Sequence, residues 1–120
     1  MLGKIEYLTD KRFQISDIKK IDVIGKRWFD SDNGNTYHSV EVHINDKQIG
    51  YIPFDYGYGD AYKDTALTIL RAVGLFTIDG TFLNHYPISS HKWLMYQRND
   101  WVNFYCSDVK TRNELWENKQ

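Results

Sequence analysis

Between Lys20 and Phe54 the chain repeats one pattern three times: a run of alternating apolar and polar residues, then a tight polar turn. The middle run, residues 36–45, is the most regular. Val40, Val42 and Ile44 share one parity, and Ser39, Glu41 and His43 the other. Side chains alternate across a strand, so this run buries one face; a helix would need a period of about 3.6. Ahead of it, Asp30-Ser31-Asp32-Asn33-Gly34-Asn35 reads as a turn, with Asn33-Gly34 suited to positive φ. After it, Asn45-Asp46-Lys47 turns the chain into a further strand over 48–54, with Ile49 and Tyr51 set against Ile52 and Phe54. Strands joined by turns this short pair as antiparallel neighbours, which commits the chain to a meander.

The first strand of the three spans 20–29. Ile21 and Val23 have one parity, Ile24 and Trp28 the other, and Gly25 lies where the apolar face switches. A β-bulge at Gly25 would reconcile the two phases.

A meander with one apolar face needs a cover. Residues 61–73 supply it, because Tyr62, Ala66, Ile69, Leu70 and Val73 form one helical stripe, with Lys63, Asp64, Thr68 and Arg71 off it. Asp60 is expected to cap this helix and Gly74 to stop it. Farther on, 75–88 reads as loop, 91–98 as a second short helix capped by Ser89 or Ser90, and 101–109 as a last strand. The tail 110–120 is polar apart from Leu115 and Trp116, and fraying is expected there. Upstream, 2–8 and 12–15 are short apolar stretches, read as a small hairpin or a strand and a turn. The expected fold is α+β in a single domain over 1–120. An antiparallel meander of three to five strands carries one main helix on one face, and a second short helix precedes a C-terminal strand.

The strand-to-helix junction is the most unusual stretch. Phe54-Asp55-Tyr56-Gly57-Tyr58-Gly59-Asp60 packs three aromatics, two glycines and two carboxylates into seven residues. Glycine lets a backbone approach a ligand closely, and a helix start favours an anion, although Asp55 and Asp60 oppose one there. The stretch lacks the Lys-Ser/Thr pair of a phosphate loop and does not match a dinucleotide fingerprint. It is either a tight connector or a binding surface. As a surface, its ligand- or partner-binding candidates are Tyr37, His38, Asp55, Tyr56, Gly57, Tyr58, Gly59 and Asp60.

No catalytic residue, metal ligand or cofactor is assigned. His38 and His43 have opposite parity, and no Cys/His spacing suits zinc. Asp30, Asp32, Asn33 and Asn35 lack the twelve-residue spacing of a calcium loop. Ser39, Cys106, His38 and Asp108 would make a nucleophile set only if folding assembled them. A single cysteine excludes an intramolecular disulfide. A net charge of −1 argues against a dedicated nucleic-acid binder. The local basic run of Lys11, Arg12, Lys19, Lys20, Lys26 and Arg27 reads as a solvated face. Without an apolar N-terminal h-region or a run of about 18 apolar residues, a soluble intracellular protein with no membrane partner is expected.

Trp28-Phe29-Asp30, then Gly34-Asn35-Thr36-Tyr37-His38-Ser39-Val40, then Pro53-Phe54 with Tyr56-Gly57-Tyr58-Gly59-Asp60, resembles a group of small tailed-bacteriophage proteins to which no activity is assigned. The ending, with Ser107-Asp108-Val109 and a Lys/Arg tail, fits the same pattern. The resemblance spans roughly residues 20–115 and leaves the first twenty outside it. It implies phage origin and a place in the host cytoplasm, and it transfers no catalytic residues. In that setting the expectation is a non-enzymatic accessory protein that binds a host factor or a small nucleotide-like ligand, counter-defence being one such role. The alternatives are a small enzyme acting on a nucleotide or nucleic acid, with His38 and Asp55 or Asp60 as acid and base, and a virion or assembly component. A homo-oligomer is compatible with each.

Overall fold

A computed structural model describes residues 4–10, 18–73 and 102–116. The features expected at 12–15, Gly74, 75–88, 91–98 and 117–120 lie outside these residues. The described elements are β1 (Tyr7–Leu8), β2 (Ile21–Asp30), β3 (Asn35–Ile44), β4 (Lys47–Tyr56), α1 (Ala61–Ala72), β5 (Val102–Val109) and a 3₁₀ turn (Arg112–Trp116). They form an α+β fold around a five-stranded sheet of order β1-β4-β3-β2-β5. β2, β3 and β4 are the expected antiparallel meander, and β1 pairs antiparallel with β4. β5 departs from the expectation by running parallel to β2. A two-residue turn leaves a strand no choice of direction, whereas a strand returning from a long connection can run either way.

The helix lies where its stripe predicted. Tyr62, Ala66, Ile69, Leu70 and Val73 are all buried, joined by Thr65 and Leu67. They close over Ile21, Val23, Val40, Val42, Ile44, Ile49 and Ile52 in one apolar cluster. Burying the five stripe residues contributes on the order of 8–12 kcal/mol before chain entropy is set against it.

The bulge expected at Gly25 is absent. β2 pairs with β3 without interruption from Ile21↔Ile44 to Asp30↔Asn35. Gly25 is needed for close approach instead: a Cβ there would stand 2.6 Å from a ring carbon of Tyr62. The irregularities fall in the β3–β4 ladder. Between the pairs His38↔Asp55 and Val40↔Ile52, and again between Val42↔Gly50 and His43↔Gln48, β4 uses one residue more than β3. Each extra residue resets the alternation. Ile49 and Ile52, expected on opposite faces, therefore both enter the cluster beneath the helix.

Tyr51 goes to the second face, where its hydroxyl donates to the Leu115 carbonyl at 3.2 Å. Arg112–Trp116, in the tail where fraying was expected, packs on that face. Leu115 is fully buried, and Lys26 Nζ donates to the Glu114 carbonyl at 3.2 Å. The amides of Lys110 and Thr111 both donate to Glu114 Oε1 at 2.9 Å and hold its carboxyl below the usual range.

Candidate functional site

β4 hands the chain to α1 through a loop that folds back over the end of β3. The Gly57 amide donates to the Thr36 carbonyl at 2.9 Å. Gly57 has φ +146°, and a Cβ there would come within 2.5 Å of the Ala61 Cβ, so both conformation and space demand glycine. The Ala61 amide donates to the Tyr58 carbonyl at 3.1 Å and the Lys63 amide to the Asp60 carbonyl at 2.9 Å. Asp60 sits at the helix start as expected, but its side chain makes no cap hydrogen bond. At φ −93° and ψ 12° its backbone lies near the helical region, outside the extended geometry that aims a cap carboxylate at the first turn. The carboxylate instead lies 3.8 Å from Lys63 Nζ.

Beneath the loop lies His38, 0% exposed. Nδ1 is 3.1 Å from the Gly57 carbonyl and Nε2 is 2.7 Å from Thr65 Oγ1. A carbonyl can only accept, so Nδ1 carries the proton of the neutral ring, Nε2 is bare, and the Thr65 hydroxyl donates to it. Burial lowers the His38 pKa, opposed by the Gly57 carbonyl and the Asp55 charge. Asp55 Oδ2 is 3.3 Å from the same Thr65 hydroxyl. Of the expected residues, His38, Asp55 and Gly57 are thus brought together, through a threonine that the sequence did not single out. They form a buried buttress for the loop.

Tyr37 occupies the other face of the sheet. Its ring stacks on Phe54 at 4.7 Å and Trp28 at 5.9 Å between centroids, with Tyr56 edge-on at 5.7 Å. The Arg112 guanidinium covers Phe54 at 4.8 Å. Strand alternation therefore separates Tyr37 and Tyr56 from the buttress around His38.

The loop borders a surface cleft of about 340 Å³ lined by Arg27, Phe29, Thr36, Tyr58, Gly59, Asp108 and Val109. Arg27 is fixed in it: Nε donates to Asp108 Oδ1 at 2.8 Å and Nη1 to the Gly59 carbonyl at 3.1 Å. Phe29 is 58% exposed and Tyr58 74%, so two large rings stand in solvent beside a held guanidinium. Tyr58 and Gly59 are the expected residues that reach this cleft. Arg27 and Phe29 were missed although a signal existed, for they share the parity of Val23; Thr36 has the parity of Val40 and Val42 and pairs with Phe29 across the ladder. The assumed bulge at Gly25 hid that parity. Asp108 arrives through the parallel β2–β5 register, which no local pattern encodes.

The nucleophile set is not assembled. Ser39 is fully buried and has the opposite parity to His38. Cys106 is half-buried on β5, where burial pushes its thiol pKa up despite the nearby Arg27. Among the described residues no group of three or more His, Cys, Asp or Glu side chains could hold a metal ion, and no helix is long and apolar enough to cross a membrane. The described basic residues do not make a stripe: Lys20 pairs with Asp46 at 2.8 Å and Arg27 with Asp108. Comparison with protein-family models, curated proteins and solved structures returns no match to this chain.

Proposed function

We propose that this chain is a non-enzymatic binding protein that captures a small nucleotide-like ligand in the cleft beside Tyr58. The observation that carries the reading is the exposure of Phe29 and Tyr58 in one cleft with an arginine already held in place. Exposed rings on a braced scaffold give contact area at little entropic cost, and a fixed guanidinium loses less freedom on binding than a free one. The resemblance to small phage proteins supplies the setting: a phage accessory protein in the host cytoplasm, sequestering a host-made molecule as a counter-defence. A catalytic role for His38 with Asp55 is the weaker reading. A general base must reach its proton through no more than one water, and both nitrogens of the fully buried His38 ring are engaged by Gly57 and Thr65.

Titration calorimetry of the wild-type chain and Tyr58→Ala against a panel of nucleosides and nucleotides tests the proposal. Wild type is expected to bind a member of the panel. Tyr58→Ala should bind it about tenfold or more weakly with an unchanged melting temperature, as an exposed anchor acts mainly on the interface. Equal affinity in the variant overturns the assignment of the site. A loss of stability matching that of Gly57→Val makes the loop a structural connector.

A further inference from the structure

We infer that the cleft recognises the uncharged planar ring of its ligand, a nucleobase, and does not recognise phosphate. This rests on the proposed ligand-binding reading of the same cleft.

The first ground is charge. The charged side chains around the cleft and the adjoining helix start are Arg27 and Lys63 against Asp60, Asp64 and Asp108, two cations and three carboxylates. Both cations have carboxylate partners, Arg27 on Asp108 at 2.8 Å and Lys63 near Asp60 at 3.8 Å. A phosphate entering here would displace a carboxylate or lie against one. Sites that hold phosphate instead present uncompensated donors.

The second ground is the backbone. A glycine-bearing loop grips phosphate with free amides, and here one loop amide and two at the helix start are already engaged. The Gly57 amide is taken by Thr36, that of Ala61 by Tyr58 and that of Lys63 by Asp60. The glycines here serve the fold-back over β3.

The third ground is what the cleft does present. Phe29 and Tyr58 offer aromatic surface, and stacking on such rings is available to any flat heterocycle. In the same cleft a guanidinium donor lies beside a carboxylate acceptor whose side chain is 75% exposed. A donor adjoining an acceptor matches the edge of a base, which presents the same alternation. A volume of about 340 Å³ is near the lower end for ligand sites, enough for one base with its sugar.

The experiment titrates the full chain with the four ribonucleosides, their 5′-triphosphates, ribose 5-phosphate and inorganic triphosphate. Melting curves are recorded for wild type, Phe29→Ala, Tyr58→Ala and Asp108→Asn. The expected result has three parts. At least one nucleoside binds, with its triphosphate within about threefold of it, and neither base-free phosphate binds. Phe29→Ala and Tyr58→Ala each weaken capture about tenfold without moving the melting temperature, the scale of one lost stacking contact. Asp108→Asn changes the order of preference among bases. A triphosphate binding tenfold tighter than its nucleoside, or inorganic triphosphate binding comparably, overturns the inference and leaves the cleft reading intact. Nucleoside binding that is indifferent to both ring substitutions overturns the cleft reading itself. No binding by any probe overturns the inference, and intact capture of a non-nucleotide partner that Tyr58→Ala abolishes would then leave the site standing.

Discussion

Thr65 is the sharpest place to test how the loop is held. Its hydroxyl lies 2.7 Å from His38 Nε2, 3.3 Å from Asp55 Oδ2 and 3.2 Å from the Ala61 carbonyl. One hydroxyl has one proton, and the short contact to a bare ring nitrogen claims it. Thr65→Val keeps the branched shape and nearly the same helix propensity, so neither packing nor propensity should change much. It does strand a fully buried acceptor on His38, which costs about 1–3 kcal/mol. Thr65→Ser is the control: it retains the hydroxyl and loses one methyl, for about 0.8 kcal/mol. Urea denaturation followed by tryptophan fluorescence would read both, provided the slope with denaturant is unchanged.

The pH dependence gives a second arm of the same test. Burial holds His38 below the ordinary value of 6.5, so the native ring stays neutral where the unfolded one takes up a proton. Its stabilising contribution is present in full above about pH 6.5 and is lost as pH falls from there toward the lowered folded value. The slope approaches about 1.4 kcal/mol per pH unit for one proton, and His38→Gln should lack that component. A Thr65→Val protein as stable as Thr65→Ser, or a His38→Gln protein with the wild-type slope between pH 5 and 7, would refute the hydrogen-bonded buttress.

Three further outcomes follow from the packing. Gly57→Val should lose roughly 1–3 kcal/mol in the same urea assay, because valine at φ +146° is strained and its Cβ meets Ala61; Tyr58→Ala next door should stay within about 1 kcal/mol of wild type. Ile69→Asp, placing a carboxylate at a fully buried position beneath α1, should leave the chain unfolded or insoluble, read by circular dichroism and soluble yield. Leu115→Ala should lower stability by about 2–5 kcal/mol if the tail is part of the core, whereas a fraying tail would show no change.

The sequence by itself determined the local architecture. The alternation of Val40, Val42 and Ile44, the turns at Asn33-Gly34 and Asn45-Asp46, and the stripe from Tyr62 to Val73 each lie within a short segment whose period sets its geometry. Glycines bunched at a strand-to-helix junction answer to backbone sterics, and Gly57 and Gly59 both take positive φ there. The rest needed partners distant in the chain. Gly25 looked like a bulge until Tyr62 was seen filling the space above it. The two β4 irregularities belong to a ladder between strands, so a single strand's pattern could not place them. Leu115 and Trp116 looked like isolated apolar residues in a polar tail because the surface they cover is supplied by β2, β3 and β4. The cleft is the fullest case. Tyr58 and Gly59 come from the loop, Arg27 from β2 and Asp108 from β5, 81 residues later than the arginine it holds. Local periodicity fixes which face a residue takes; which strand lies beside it, and in which direction that strand runs, is settled by burying all the apolar faces at once.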